Sequence, residues 1–509
     1  MKEELGTVIS TFEGPSPNQV DFVVDKEVVH RGQYVEIEYS EGTMIGLVQN
    51  VLKTNRYFER AESVKEFEKN GRALFEQFPI GEWEYLVAQT KPLGVYSKEG
   101  RIKRPTFPPS PGAKVRLASA QKLKDFMGMK EDGLHLGEIS YHDVPVNVNL
   151  SRLLQKHLAI LAMSGAGKSY LVSVLLEELL ERPKEKGRMA VVVLDPHGEY
   201  ASFAQKPSAG FKDYSTKTKI VRSKSIKVGV SKLNAGLLQS ILSDLSATQR
   251  RELSRVLENL KQEMRSGLGP FGLQKVKEYL QQDEDLNEST QKAVLARVAE
   301  LEELRLFEET DSFSLNDLIR PGQLTIIDLS QEVSAKRKQI IAAYFGRKLF
   351  DERRRKAIPP FLYIVEEAHN FCPEGKAEHA LARPTIEMIA REGRKFGASV
   401  CVISQRPKRL STTVLSQCNT HIMLRMTNPY DLKHVSESSE GLDANSEKMI
   451  SSLRTGEALM VGEGVNFPLF FSVRQRHSME SNLGISLEKA AKDFEDDKEQ
   501  ETDESEEFL

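Results

Sequence analysis

The sequence is poor in cysteine and has no long apolar run. Its three cysteines are an odd number without metal-ligand spacing, which excludes a disulfide framework and a zinc site. No window approaches the roughly 18 consecutive apolar residues of a membrane-spanning helix. The N-terminus lacks the basic and apolar segments of a secretory signal. These absences predict a cytoplasmic protein with free thiols and no membrane partner.

Charge and length set only broad limits. The net charge of −3 is not the strongly basic balance common in nucleic-acid-binding proteins, and part of the acidity lies in the C-terminal tail. A ring can still carry a local basic lumen, so composition leaves DNA binding open. At 509 residues the chain predicts roughly two to four globular domains.

The N-terminal region, residues 1–105, is rich in short β-type segments. Asp21–Val24, Tyr34–Glu38 and Met44–Val51 are separated by turns, which predicts a small β-barrel or sandwich. The proline-rich stretch Arg104–Gly112 opens a predicted connecting segment over 106–144.

Strands and helices alternate in the larger part of the chain. This pattern predicts a parallel α/β sheet covered on both faces. The predicted strands are His157–Met163, Met189–Leu194, Gln323–Leu329, Phe361–Val365, Ala398–Ile403, His421–Arg425 and Ala458–Val461. The predicted boundaries are an ATPase domain over 145–232 and 311–475, a helical insertion over 233–310, and a charged tail over 476–509 that is flexible or docked on a neighbour.

The strongest local motif is a phosphate-binding loop between a predicted strand and a predicted helix. It matches the Walker A pattern, except that Ala162 replaces the first glycine. Its backbone N–H groups and the helix N-terminus suit a nucleotide phosphate, which predicts ATP as the ligand. Lys168 is predicted to reach the β- and γ-phosphates, and the Ser169 hydroxyl to ligate Mg²⁺. The predicted nucleotide-binding residues are Ser164, Gly165, Ala166, Gly167, Lys168, Ser169 and Tyr170. The alternative is a chance glycine turn, which the strand–loop–helix context disfavours.

Acidic and amide side chains follow three of the predicted strands, at the edge where parallel strands place a ligand. Glu366 is predicted to bind the metal and Glu367 to act as the base, although a solvated acidic strand end is an alternative. Asp195 is a further catalytic and metal-binding candidate, with a helix cap as its alternative. Gln405 is predicted to sense the γ-phosphate, with a buried structural amide as its alternative.

Three cations precede one predicted strand, in the stretch 389–397. In ring ATPases an arginine from the neighbouring subunit stabilises the transferring phosphoryl group. Arg391 and Arg394 are the main candidates, and Arg406 and Arg425 are weaker ones. The alternative is a basic helix surface that contacts DNA phosphate.

Together these motifs resemble the HerA family of the HerA/FtsK ATPases. The segments that carry the resemblance are, in order, AMSGAGKSY, VVLDPHGEY, IVEEAHNF, REGRKFG, VISQRP and LSQCNTHIMLRMTNPYD. The N-terminal region, with GQYVEIEYSEGTMIGLV, resembles the small β-barrel of that family, the HAS-barrel. The implied fold is a RecA-like P-loop motor of the additional-strand, catalytic-glutamate type.

The resemblance also implies function. Family members form hexameric rings around double-stranded DNA, and in archaea they partner the nuclease NurA in DNA end resection during double-strand-break repair. The catalytic roles fall on Lys168, Ser169, Asp195, Glu366, Glu367 and Gln405, with an arginine from the stretch 391–394 acting in trans.

Two other functions keep the same catalytic residues. A protein-remodelling or secretion-type coupling ATPase predicts hydrolysis that does not respond to DNA. A nucleotide-gated switch or scaffold predicts binding with incidental hydrolysis, which the Glu366-Glu367 pair disfavours. Basic residues within 207–227 are candidates for DNA contacts, with an exposed loop of no such role as the alternative.

Overall fold

The computed structural model describes most of the chain. The described residues are 4–10, 14–25, 29–55, 84–97, 100–233, 245–283, 286–375, 380–439 and 441–481, with isolated positions in 65–69, 237–242 and 488–495. Across these residues, no helix combines the length and apolar character that crossing a membrane requires.

Seven antiparallel strands form the N-terminal sheet. They are β1 (Glu4–Val8), β2 (Val20–Val24), β3 (Tyr34–Tyr39), β4 (Gly42–Asn55), β5 (Glu84–Tyr96), β6 (Ile102–Lys103) and β7 (Lys114–Leu117). Their order is β2-β1-β7-β3-β4-β5-β6, and pairing of β2 with β5 closes six of them into a barrel. Alternating side chains fill its interior, among them Phe22, Val35, Ile37 and Val48. The predicted barrel is therefore present.

A second sheet of 11 strands forms the larger domain. It contains β8 (Leu134–Ile139), β9 (Pro145–Val148), β10 (Leu158–Leu161), β11 (Ala190–Asp195), β12 (Thr218–Arg222), β15 (Leu324–Asp328), β16 (Phe361–Val365), β17 (Ala398–Ser404), β18 (Thr420–Met423), β19 (Glu457–Gly462) and β20 (Leu469–Val473). Their order is β12-β15-β11-β16-β17-β10-β18-β19-β20-β8-β9. The run from β12 to β18 is parallel, as predicted, and the strands from β19 to β9 add an antiparallel edge.

Helices pack against this sheet and link its strands. They are α1 (Ala120–Met127), α2 (Leu150–Leu154), α3 (Lys168–Glu181), α4 (Ala247–Glu263), α5 (Leu273–Gln282), α6 (Glu288–Glu303), α7 (Leu315–Leu318), α8 (Ala335–Arg354), α9 (Ala368–Phe371), α10 (Arg383–Glu392), α11 (Thr412–Gln417), α12 (Pro429–Ser438) and α13 (Ala444–Ser451). Short 3-10 turns lie at Lys184–Lys186, Ala201–Ala204, Ser215–Lys217, Ser223–Ser225, Val230–Lys232, Gly393–Phe396 and Pro407–Arg409.

The described part of the predicted insertion is mainly helical. Ser246 and Gln249 form the reciprocal capping box that begins α4, and Leu253, Val256 and Leu260 supply its buried face. Within the insertion, one short strand was not predicted: β14 (Phe307–Glu308) pairs in parallel with β13 (Val228–Gly229) where the insertion returns to the motor. In the large sheet, β12 and β20 were not predicted either.

The segment 106–144 is not a simple connector, and this prediction was wrong. It supplies β7 to the barrel, and α1 and all of β8 to the motor domain. Short strands that pair with distant segments leave little local pattern, so the proline-rich stretch before them dominated the prediction. The predicted tail also begins later than expected, because residues 476–481 pack on the motor domain.

Candidate active site

The predicted site residues meet at the carboxyl edge of the parallel strands. β10 lies between β17 and β18, and Leu161 pairs with both Ser404 and Met423. β16 lies next to β11, with Leu194 opposite Val365. The phosphate loop and the three polar positions that follow β11, β16 and β17 therefore leave the sheet at one edge.

Two glycines shape the phosphate loop. Gly165 and Gly167 have φ angles of +74° and +97°, which side-chain-bearing residues rarely adopt. Gly167 directly precedes α3, so the unbonded N–H groups of the first helical turn face the loop. Ala162 is fully buried at the loop entry and its φ is not positive, so this position does not need glycine.

Lys168 lies at the centre of a cluster of carboxylates. Its Nζ donates to Glu366 Oε2 at 2.9 Å, and lies 3.4 Å from Glu367 Oε1 and 4.0 Å from Glu199 Oε2. Burial alone would lower the pKa of Lys168, but Glu366 and Glu199 raise it above its ordinary value. The ammonium is therefore held charged at the point where nucleotide phosphates bind.

Glu366 is held by two side chains and by the backbone N–H of Glu367, which donates to Oε2 at 3.2 Å. Its carboxylate accepts hydrogen bonds from Lys168 and from the hydroxyl of the fully buried Tyr200. Burial raises the pKa of Glu366, although Lys168 and Tyr200 act in the opposite direction. The predicted metal ligand thus has a fixed orientation in a site from which water is largely excluded.

Glu367 follows in a strained backbone conformation. Its φ of +47° is unusual for a residue with a side chain, and such strain often accompanies functional positions. The carboxylate is 4% exposed, and Oε2 accepts no hydrogen bond from the described residues, although it lies 3.2 Å from His369 Nδ1. His369 Nδ1 lies 3.1 Å from Ser404 Oγ. The carboxylate therefore has one oxygen, Oε1, near Lys168 and a second, Oε2, without a donor in the described part of the chain, and an oxygen of the second kind can accept a proton from a water molecule.

Asp195 has a different environment from the other acids. Its two oxygens accept backbone N–H groups from residues 197–200, at distances between 2.7 and 3.2 Å. The carboxylate therefore stabilises the turn after β11, and the 3-10 turn that follows, Ala201–Ala204, is capped by Tyr200 rather than by Asp195. The catalytic and metal-binding roles of Asp195 stay predictions. The carboxylate that faces the Ser169 hydroxyl is Glu199, which accepts its hydrogen bond at 2.5 Å.

Sequence reasoning missed Glu199 and Tyr200. Both lie in the turn that Asp195 organises, four and five residues after it. The signal available was the spacing of the segment DPHGEY, in which an aspartate at a strand end fixes the following residues beside the phosphate loop.

The arginine candidates divide between the two edges of the sheet. Arg406 and Arg425 follow β17 and β18 at the edge of the phosphate loop, and Met163 N–H donates to the Arg425 carbonyl at 2.9 Å. Arg391 and Arg394 are exposed and precede β17 at the opposite edge. The seven-residue strand between the edges spans about 20 Å. Gln405 is half-buried directly after β17, beside the phosphate loop.

Comparisons with known proteins agree with this geometry. A family model described as the central domain of the helicase HerA matches residues 134–349. A probable helicase of Methanocaldococcus jannaschii is 30% identical over 474 residues, covering 88% of this chain and 87% of that protein. The DNA double-strand break repair helicase HerA of Sulfurisphaera tokodaii is 27% identical over 486 residues, covering 92% of this chain and 92% of that protein.

Solved structures support the fold. VirB4 of Thermoanaerobacter pseudethanolicus has a TM-score of 0.54 at 15% identity, covering 68% of this chain and 97% of that one. The plasmid coupling protein TrwB, bound to a non-hydrolysable ATP analogue, has a TM-score of 0.51 at 14% identity, covering 73% and 96%. The phosphate loop, the buried glutamate pair and the 30% identity over most of the chain lead to one conclusion: this protein is a P-loop ATPase that belongs to the HerA family of helicases.

Proposed function

We propose that the protein hydrolyses ATP to translocate double-stranded DNA, as a hexameric ring that works with a NurA-like nuclease in end resection for double-strand-break repair. The observation that supports ATP hydrolysis is the buried Glu367 carboxylate beside Lys168. The DNA part rests on relatives of the same length whose names describe DNA double-strand break repair helicases.

In this proposal each side chain has a defined task. Lys168 exchanges its carboxylate partners for the β- and γ-phosphates when nucleotide binds. Glu367 orients the attacking water and accepts its proton. Gln405, at the end of β17, contacts the γ-phosphate.

Mg²⁺ fits the chemistry of this cleft. Three carboxylates surround a single ammonium, and the Ser169 hydroxyl lies beside one of them. Oxygen ligands of this kind are those that Mg²⁺ prefers, together with nucleotide phosphates. Over the described residues, no three acidic, histidine or cysteine side chains form a metal cage by themselves. The ion is therefore expected to bind with ATP, near Ser169 and Glu366, and to neutralise phosphate charge. Asp195 supports it through the turn that carries Glu199.

The placement of Arg391 and Arg394 supports an arginine that acts in trans. At the edge opposite their own phosphate loop they do not reach their own nucleotide, so a catalytic role requires a neighbouring copy. Mixing Lys168→Ala subunits with Arg391→Ala or Arg394→Ala subunits tests this arrangement. Recovered ATPase activity in the mixture of two inactive variants supports a shared site, and no recovery at any ratio contradicts it.

The main test is ATP hydrolysis with and without linear duplex DNA. Wild type is expected to be strongly stimulated by DNA, with the stimulation weakening steeply as salt rises. Glu367→Gln is expected to abolish hydrolysis while retaining ATP binding. Glu303→Gln, an exposed acid at the end of α6, is the matched control and is expected to behave as wild type.

The other outcomes identify the alternatives. Rapid hydrolysis that does not respond to DNA supports a protein-remodelling or secretion-type ATPase. Binding without hydrolysis in wild type, even with a NurA-like nuclease and DNA present, supports a nucleotide-gated scaffold. Resection of duplex ends by such a nuclease only when this ATPase is active supports the repair role.

A further inference from the structure

A short segment after the last strand lies along the outer face of α3. We call residues 474–481 the C-terminal strap. Its anchor is Glu177, a fully buried carboxylate of α3. Glu177 Oε1 accepts from His477 N–H at 2.9 Å, from Ser478 N–H at 2.8 Å and from Ser478 Oγ at 2.6 Å. Arg474 Nη1 donates to the other oxygen at 2.8 Å. A buried carboxylate with this many partners fixes the strap firmly on α3.

The strap continues to the nucleotide cleft. The backbone N–H of Arg476 donates to the Tyr170 hydroxyl at 2.8 Å, and Tyr170 directly follows the phosphate-loop Ser169. At the far end, Ser481 Oγ donates to the carbonyl of Glu199 at 2.6 Å. The strap therefore connects the first turn of α3 with the turn that carries Glu199.

Arg476 is held in a defined position without a direct ion pair to a described residue, although Glu177 and Glu480 lie near enough to favour its charge. Its Nε and Nη2 donate to Ser478 Oγ, at 3.2 and 2.9 Å, and Nη2 also donates to the Met479 carbonyl at 2.8 Å. The guanidinium carbon lies 5.8 Å from the centre of the Tyr170 ring. Within the described parts of the chain, Nη1 donates no hydrogen bond and no carboxylate lies within 4.0 Å of the guanidinium.

These contacts hold the guanidinium in a fixed position that is suited to binding an anion. Most half-buried arginines pair with a carboxylate, because a desolvated charge is costly without one. Burial lowers the pKa of Arg476, but an arginine remains charged at neutral pH. Tyr170 directly follows the phosphate-loop residue Ser169, so a nucleotide bound by that loop is the anion expected beside Arg476.

We infer that Arg476 is a nucleotide-binding residue that contacts the α-phosphate of ATP and ADP. The γ-phosphate is directed towards Lys168 and Glu367, so the α-phosphate lies further along, at the first turn of α3 where Tyr170 and Arg476 meet. This inference rests on nucleotide binding and does not require translocation on DNA.

The test is equilibrium binding of fluorescent ATP and ADP analogues at fixed Mg²⁺ concentration. Arg476→Ala is expected to weaken both nucleotides to a similar extent, by about tenfold to a hundredfold, as expected for loss of a charge-assisted hydrogen bond. Arg476→Lys retains the charge and is expected to recover part of the affinity. Gln475→Ala is the matched control, since this side chain is exposed on the same strap.

Three results would overturn the inference. Unchanged ADP affinity in Arg476→Ala would show that Arg476 does not contact the α-phosphate. A loss confined to ATP would place the arginine at the γ-phosphate. An equal loss in Gln475→Ala would show that the strap acts only through packing. A DNA-independent ATPase with weakened nucleotide binding in Arg476→Ala would contradict the proposed translocation but not this inference.

Discussion

Replacing Lys168 with alanine is expected to destabilise the nucleotide-free protein, in addition to blocking hydrolysis. The Lys168 side chain is 9% exposed and the Glu366 side chain 2%. Removing one member of a buried ion pair costs about 3–5 kcal/mol, because the remaining charge stays buried. Tyr200 still donates to Glu366, so we expect the lower end, about 3 kcal/mol. For a domain of this size that corresponds to a fall of about 6 °C in Tm.

The pH dependence provides a sharper test. A carboxyl whose pKa is raised in the folded protein favours folding when it is protonated. Its ionisation therefore lowers the free energy of unfolding as the pH rises above the pKa that the carboxyl has in the unfolded chain. Burial already raises the pKa of Glu366, and loss of Lys168 removes an opposing influence. The stability difference between Lys168→Ala and wild type is therefore expected to be largest at neutral pH and to shrink as the solution is acidified.

The measurement is thermal and urea unfolding of the nucleotide-free protein at a series of pH values from neutral to acidic. Lys212→Ala is the control, since Lys212 forms an exposed ion pair with Glu181 at 2.7 Å that is worth at most about 1 kcal/mol. The double variant Lys168→Ala/Glu366→Gln is expected to regain most of the lost stability. A Lys168→Ala protein as stable as wild type at every pH would refute the reasoning.

Two further predictions concern the α3 face and the thiols. Glu177→Gln is expected to lower the free energy of unfolding by about 2–3 kcal/mol, because the buried partner of Arg474 loses its charge. The same change is expected to speed tryptic cleavage after Arg474. Unchanged cleavage would show that the strap is held by other contacts. A thiol reagent is expected to leave the native protein unlabelled and to modify all its cysteines in denaturant, because burial raises their pKa, that of Cys372 to about 12. Rapid labelling of native protein would show that this core opens locally.

Elements with a strong local pattern were predictable from the sequence. The phosphate loop lies between a buried strand and a largely buried apolar helix, and its glycines have positive φ angles. Each of these features can be recognised from neighbouring residues of the sequence. Six of the seven parallel strands were predictable because burial on both faces requires continuous apolar runs, as in β11 and β16. The seventh, β12, is a half-buried edge strand without such a run and was missed. The capping box at Ser246 was predictable because both of its hydrogen bonds join Ser246 to Gln249, only three residues further along the chain.

Features that depend on distant partners were not predictable. β7 and β8 are ordinary short segments until the barrel and the motor sheet provide strands for them to pair with. The strap resembles a polar tail, because its anchor Glu177 lies about 300 residues away in sequence. Glu199 was overlooked because an acid on a turn normally faces solvent, and only the bonds to Asp195 direct it towards Ser169.

The charges of the cleft connect the ATPase with the need for neighbours. In the nucleotide-free chain, three carboxylates, Glu199, Glu366 and Glu367, share one ammonium. A triphosphate adds further negative charge to the same buried space, where charges that are not neutralised are costly. Binding with hydrolysis therefore requires more positive charge than Lys168 alone provides. In the arrangement we propose, a divalent ion and Arg476 would supply part of it, and an arginine of an adjoining copy would supply charge at the γ-phosphate, beside Glu366 and Glu367. This charge imbalance gives a physical reason for an active site completed between subunits, because a chain with this cleft is better suited to hold ATP than to stabilise the transferring phosphoryl group alone.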